Sequence, residues 1–205
     1  MLGPNRGRSR SSRHGLFPMT TLPSRDVEVR LADLLLRVID WLKFAEAKNT
    51  AAVGLSSTAL GVIVTFLVAG PPVPDPAGIG LSIGAVLLMV SLLLAVASFL
   101  PSTNLEKHLL GAREEPAASD NLLFYGHIAR YEPNALARAI AVHYYGLTGE
   151  DAEPSRYAVD LAGQIVTNAR ITVRKLDFFK YSLQLFAAGV LIAAAAMAVT
   201  AVVAS

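Results

Sequence analysis

The stretch "TAAVGLSSTALGVIVTFLVA", residues 50–69, runs for twenty positions without an Asp, Glu, Lys, Arg or His. A helix rises about 1.5 Å per residue, so roughly 20 such residues cross a hydrocarbon core about 30 Å thick. Two further stretches share the property: "GLSIGAVLLMVSLLLAVASFL" at 80–100 and "YSLQLFAAGVLIAAAAMAVTAVVA" at 181–204. The remaining composition agrees. The chain has 205 residues, of which 53% are hydrophobic and 17% charged, with a mean hydropathy of +0.47, too apolar for a soluble domain of this size. The expected fold class is all-α, an integral membrane protein with three transmembrane helices.

The first span begins too far into the chain, behind a charged helical segment, to be a cleaved signal peptide. There are no cysteines, which excludes disulfides and thiolate metal sites. All 18 Lys and Arg fall in two segments, nine between residues 6 and 48 and nine between 107 and 180. The connector "GPPVPDPAG" at 70–78 and the tail after the third span carry none. Basic flanks resist translocation, so the N-terminus and the 101–180 region are expected in the cytoplasm and the C-terminus outside.

Residues 1–25 open with "MLGPNRGRSRSSRHGLFP", rich in Arg, Ser and Gly without an apolar period, and read as a disordered arm. Met19 offers an alternative start; a transit peptide or lipid-binding arm is the rival reading. From Asp26 the pattern turns helical, with Leu31, Leu34, Leu35, Val38, Ile39, Leu42 and Ala45 at steps of three and four. No proline follows before Pro71, so this amphipathic segment, 26–49, can run straight into the first span. Glu150, Asp151 and Glu153 before Pro154 suit the start of a second long helix that continues into the third span.

Between the spans, Ser119, Asp120 or Asn121 can cap a helix running to Tyr131. Pro133 can open another through Tyr145, with Gly146 as its stop and Leu136, Ala139, Ile140 and His143 on one face. The region 101–180 is thus expected as a small cytoplasmic helical bundle, continuous with the first and third spans.

Three segments resemble a known family: "FAEAKNTAAVGL" (44–55) leading into the first span, "NLLFYGHIARY" (121–131) after the second, and "LAGQIVTNARITVRKLDFFKYSLQLF" (161–186) running into the third. In this order and at these distances from the spans they are similar to the membrane-embedded Pycsar effectors of bacterial antiphage defence, the PycTM type. The resemblance covers roughly residues 35–204. It implies an inner-membrane effector that senses a cyclic pyrimidine mononucleotide, cUMP or cCMP, made by a partner cyclase, and then impairs the membrane. It carries no residue-level binding signature.

Such a ligand offers one phosphate, a ribose hydroxyl and a flat base, and wants an Arg, a polar side chain and an aromatic or apolar wall. On the matching segments the candidates are Asn121, His127, Arg130 and Tyr131, with Asn168, Arg170 and Arg174 on the stalk before the third span. Leu123, His127, Arg130 and Tyr131 would share one helix face. Each has a plainer reading. Arg170, Arg174, Lys175 and Lys180 can form a basic collar against lipid headgroups, and Arg174 can pair with Asp177 three residues on. His127, with His14, His108 and His143 scattered elsewhere, makes no metal pair and no general-base relay, and reads as a packed bundle histidine. Phe124, Tyr125, Ile128 and Tyr131 suit core packing as well as base stacking.

Phosphate-binding, dinucleotide, nucleophile-elbow and zinc-protease motifs are all absent from the sequence, so a non-enzyme without a cofactor is expected. The spans also lack the ionisable residues of a transporter. Their small residues at helix-contact spacing, Ser57 with Gly61 and Gly80 with Gly84, either pack the first two spans as a hairpin or form the seam of a homo-oligomer. The lipid bilayer is the expected partner and a nucleic acid polymer is not. A non-sensing membrane scaffold that docks a cytoplasmic protein is the alternative function; a ligand-free, holin-like pore would not need the cytoplasmic region.

Overall fold

The computed structural model describes residues 22–100 and 115–203. Most of the N-terminal arm, residues 101–114 of the central region, and Ala204 with Ser205 lie outside the described residues. Among the described residues five α-helices and one 3-10 turn follow in order: α1 (Leu22–Ala69), α2 (Asp75–Ala97), α3 (Tyr125–Ile128), α4 (Pro133–Tyr145), the 3-10 turn Gly149–Ala152 and α5 (Arg156–Val203). The described residues contain no strand. Three of the helices, α1, α2 and α5, are long and apolar enough to cross a membrane.

Helices α1 and α5 are each 48 residues long, about 72 Å at the usual rise, and each continues without a break from a polar half into an apolar half. They run parallel. Ser155 Oγ donates to Glu28 Oε1, a pair 127 residues apart, and Asn49 Nδ2 donates to the Lys175 carbonyl, a pair 126 apart. A constant offset over that length means the two helices keep one register from stalk to span. The buried positions of α1 explain it: Val27, Leu31, Leu34, Val38, Ala45, Asn49, Ala52, Ser56 and Ile63 recur at steps of four, three or seven, a heptad seam.

The third partner differs between the two halves. In the polar half, α4 lays Leu136, Ala137, Ile140 and Ala141 against α1 and α5, joining Leu31, Leu34, Val38, Leu161, Ile165 and Val166 in one core. Gly146 ends α4 in the left-handed region (φ 65°), where a side chain would be strained. The buried stripe of α4 differs from the expected face at one place: His143 is exposed and Ala137 and Ala141 take the contact. In the apolar half, α2 returns antiparallel to both long helices. It starts at Asp75, five residues before the charge-free stretch, because Asp75 and Pro76 both suit a first helical turn. Ser98 closes it by donating to the Ala95 carbonyl at 2.7 Å.

At its start α5 departs by two residues from the expected Pro154. Ser155 caps it, its carbonyl accepting from Val159 and its Oγ from the Ala158 N–H at 3.1 Å. The helix expected from residues 119–121 to Tyr131 is a single turn, α3. Asp120 and Asn121 each bond the backbone of their own turn, Asp120 Oδ2 accepting from Ala117 N and Asn121 Oδ1 from Leu123 N, which holds the chain out of helix before Phe124.

Of the four small residues of the spans, Gly80 and Gly84 pack within the chain, and not as a hairpin of the first two spans. A Cβ at Gly84 would stand 2.9 Å from the Gly189 carbonyl oxygen and one at Gly80 2.6 Å from the Ala196 Cβ, so the close approach is between α2 and α5. Ser57 and Gly61 face outward, and a Cβ at Gly61 would meet nothing within 4 Å. Large apolar side chains such as Val68, Val86 and Leu191 stand exposed around the same half, as a lipid-facing surface requires. A bulky residue at Gly84 must push two backbones apart, whereas one at Gly61 only enlarges an outward surface. Gly84→Leu is therefore expected to lower the stability of the detergent-solubilised protein by about 1–3 kcal/mol, with Gly61→Leu near wild type, as read by thermal denaturation.

Candidate functional site

The segment 117–132 is folded along one side of α5 and fastened to it by Arg170. The guanidinium donates to three oxygens: the Ala129 carbonyl at 3.1 Å, the Tyr131 carbonyl at 2.7 Å and Glu132 Oε1 at 2.9 Å. The first two belong to the turn that follows α3, Ala129 being its C-cap and Tyr131 lying three residues past its last residue. The third is a carboxylate with a side chain 68% exposed. Arg170 is thus half structural clamp and half surface ion pair.

A second cluster holds the segment's own turn. Asp120, its side chain only 3% exposed, accepts from Arg130 Nη1 at 3.2 Å and from Ala117 N at 3.0 Å. His127 Nδ1 lies 3.7 Å from the same carboxylate but accepts the Asn121 backbone N–H at 2.8 Å. A nitrogen whose lone pair takes that N–H carries no proton, so the contact with Asp120 is proximity rather than an ion pair. His127 serves as a fixed acceptor in the turn. Tyr131, 7% exposed, is core; burial first, then the Asp120 carboxylate, raises its phenol pKa, and Arg130 opposes that.

Beside these polar contacts lies a file of aromatic rings. Phe44, Trp41, Tyr125, Phe124 and His127 follow one another at centroid separations of 5.9, 5.2, 4.5 and 5.2 Å. Trp41 and Phe124 are exposed, so the file is an open ledge rather than core. Below it on α5 stands Asp177, half-buried. Burial raises its carboxyl pKa and Lys180 works against the rise; in turn Asp177 adds to the effect of burial in raising the phenol of Tyr125.

The structure therefore brings Asn121, His127, Arg130, Tyr131 and Arg170 into one neighbourhood. It separates the other two. Arg174 turns toward the end of α2, its Nη2 donating to the Leu100 carbonyl at 2.9 Å and its guanidinium lying 5.5 Å from the Phe178 ring centre. Asn168 shares the row of Thr172 and Lys175 at steps of four and three, the side of α5 that faces α1, where Lys175 Nζ meets Glu46 at 3.2 Å. Lys175, 8% exposed, is thereby a buried structural cation rather than the exposed collar residue expected from its place before the span. Leu123 precedes α3 and does not extend a helical face with His127.

Four participants escaped the sequence reading: Trp41, Asp120 as a buried carboxylate, Glu132, and Asp177 as a charge acting on Tyr125. Trp41 had a signal. It is the single tryptophan, and with Phe44 it stands off the apolar stripe of an amphipathic helix, where an aromatic pair has no core to fill. Glu132 and Asp177 had none, since only the fold decides that one approaches Arg170 and the other Tyr125. Among the described residues no cluster of metal-ligating side chains occurs.

Two unbroken parallel helices, a second span that returns between them and a polar bundle with an aromatic edge define a helical membrane protein. Comparison with known proteins gives the class a family. Residues 30–202 match PycTM, the Pycsar effector protein domain, and the chain belongs to this family. It is 31% identical over 157 residues to the Pycsar effector protein RsPycTM of a Rhizobium species, covering 76% of this chain and 86% of that protein. No solved structure matches it.

Asp177 gives the site a pH signature. Its pKa in the folded protein lies above the ordinary 3.8, so the fold favours the neutral acid. Stability is then greatest below the unfolded pKa and falls as pH rises through the folded one, where a half-buried carboxylate must ionise. An amide carries no such penalty. Asp177→Asn is expected to match wild type in melting temperature near pH 4 and to exceed it near pH 7, a gap opening with rising pH; the reverse trend would mean that Lys180 dominates.

Proposed function

We propose that the chain is a membrane effector of bacterial antiphage defence that binds a cyclic pyrimidine mononucleotide, cUMP or cCMP, and answers by impairing the inner membrane. Membership of the Pycsar effector family supports the reading. The observation that carries the coupling is the continuity of α1 and α5: each helix that frames the polar bundle is the same helix that enters the apolar half. A ligand that repacks the bundle can tilt or turn those spans as rigid rods, because packed helices move between discrete arrangements.

The polar half faces the cytoplasm in this reading, where a partner cyclase would release the nucleotide, and the C-terminus lies outside. The nucleotide is an activating ligand and not a substrate, so the protein is not an enzyme, and it acts as a homo-oligomer. The phosphate goes to Arg170, whose exposed partner Glu132 it can displace while the two carbonyl bonds keep the guanidinium in place. The base goes to the ledge of Trp41, Phe124 and Tyr125. Asp177, whose charge acts on Tyr125, and Arg170, which holds Ala129, stand seven residues or about 10 Å apart along α5.

Titration of the purified protein in detergent with cUMP and with cCMP tests the reading. Arg170→Ala should weaken binding by about 1.5–3 kcal/mol, the range for a charged hydrogen bond. Trp41→Ala should weaken it too, while Arg174→Ala, which faces the end of α2, should bind nearly as wild type. Absence of binding by both nucleotides at millimolar concentration would falsify sensing and favour a scaffold that docks a cytoplasmic protein. Orientation is checked separately: a reporter fused after Ser205 should be active outside the cytoplasm and one inserted near Ala117 inside it.

A further inference from the structure

Three polar side chains are fully buried side by side in the apolar half, one from each span. Ser91 Oγ donates to the Ser182 carbonyl at 2.8 Å, Ser182 Oγ donates to the Ser91 carbonyl at 2.9 Å, and the two hydroxyl oxygens stand 3.0 Å apart. Ser56 Oγ lies 2.9 Å from Ser91 Oγ. A serine has one proton to give. With the protons of Ser91 and Ser182 directed to each other's carbonyls, the proton between Ser56 and Ser91 comes from Ser56, and every hydroxyl is satisfied. All three residues are at most 1% exposed.

The clasp sits in a ladder of layers seven residues apart. One heptad toward the bundle, Asn49 Nδ2 donates to the Lys175 carbonyl; one heptad the other way, Gly84 meets Gly189. The layers differ in tolerance. Apolar side chains can slide over one another and regain contact, but a hydroxyl-to-carbonyl bond exists in one register only. Any turn or slip of α1 or α5 against α2 breaks the clasp. Once parted, each hydroxyl can bond only within its own helix, as Ser82 does to the Gly78 carbonyl, and three polar groups are left between the spans with no interhelical partner. Such a polar layer draws water in, and a wet layer in a thin apolar barrier is a route to leakage.

We infer that the Ser56, Ser91 and Ser182 clasp holds the spans in their resting arrangement and must part for the chain to damage the membrane. The inference rests on the proposed membrane-impairing role and names the restraint within it. The clasp and the bundle share two rigid helices in one register, so movement at Arg170 reaches Ser182 along twelve residues of unbroken α5.

The chain has no cysteine, which makes the test clean. In Ser91→Cys/Ser182→Cys protein in membranes, mild oxidation should join the two thiols within one chain, seen by protection from a thiol-labelling reagent. The joined protein should lose cyclase-induced depolarisation of cells, and reductant should restore it. Ser91→Ala should depolarise cells that carry no cyclase, at matched expression, while Ser91→Thr, which keeps the hydroxyl, should not. A clasp that fails to cross-link at rest, a cross-linked protein that depolarises as fast as the reduced one, or Ser91→Ala cells as polarised as wild type would each overturn the inference. Wild-type cells that stay polarised when the cyclase is induced defeat the nucleotide reading instead, and the cyclase-free Ser91→Ala arm then decides the clasp alone.

Discussion

The parallel seam between α1 and α5 is the constraint on which the rest depends. Two helices of 48 residues held at one offset, 127 residues at Glu28 and Ser155 and 126 at Asn49 and Lys175, behave as one ribbon about 72 Å long. Everything else fills the open side of that ribbon. In the apolar half the filler is α2; in the polar half it is α4 with α3. The heptad spacing of buried residues in α1 passes from Val38 through Asn49 to Ser56 without changing phase, so the junction between water and lipid is not a hinge in the backbone.

Chemistry along the seam changes where the backbone does not. Leucine, isoleucine and valine fill it in the bundle, where water supplies a hydrophobic driving force. Near the junction the layers turn polar, with Asn49, Lys175 and the three serines, and farther on they turn small, with Gly84 and Gly189. Lipid gives no hydrophobic push between helices, so close packing and interhelical hydrogen bonds take over there. Asn49 at a seam position also fixes register, as a single buried asparagine does in coiled coils, at some cost: its Oδ1 is buried without a hydrogen-bond partner among the described residues.

The three long helices were legible because hydropathy and charge are properties of each segment by itself. So was the continuity of α1, which needs only the absence of proline after Asp26. What the sequence does not carry is which faces meet. Ser57 with Gly61 and Gly80 with Gly84 have the same spacing, yet one pair faces outward and the other touches α5. The single turn of α3 was hidden for another reason: Asp120 and Asn121 are good helix caps and equally good turn formers, and the turn won because Arg130 and His127 both close on it. Arg170 and Arg174 look equivalent on a stalk, four residues apart, until the fold aims one at α3 and the other at Leu100.

Arg130 and Arg170 differ in how deeply their carboxylate partners are buried. Arg130 meets Asp120, whose side chain is 3% exposed, so separating them would strand a buried carboxylate; an incoming anion gains nothing by competing for that guanidinium. Arg170 meets Glu132, 68% exposed, and a carboxylate so open would return to water at little cost if the proposed phosphate took its place. In the proposed exchange the two carbonyl bonds would be the part of the clamp that stays. The carbonyls would hold the guanidinium in position through that exchange, so the proposed binding would require no further side-chain ordering, and a change of partner at Glu132 would be passed to the loop that Ala129 and Tyr131 terminate.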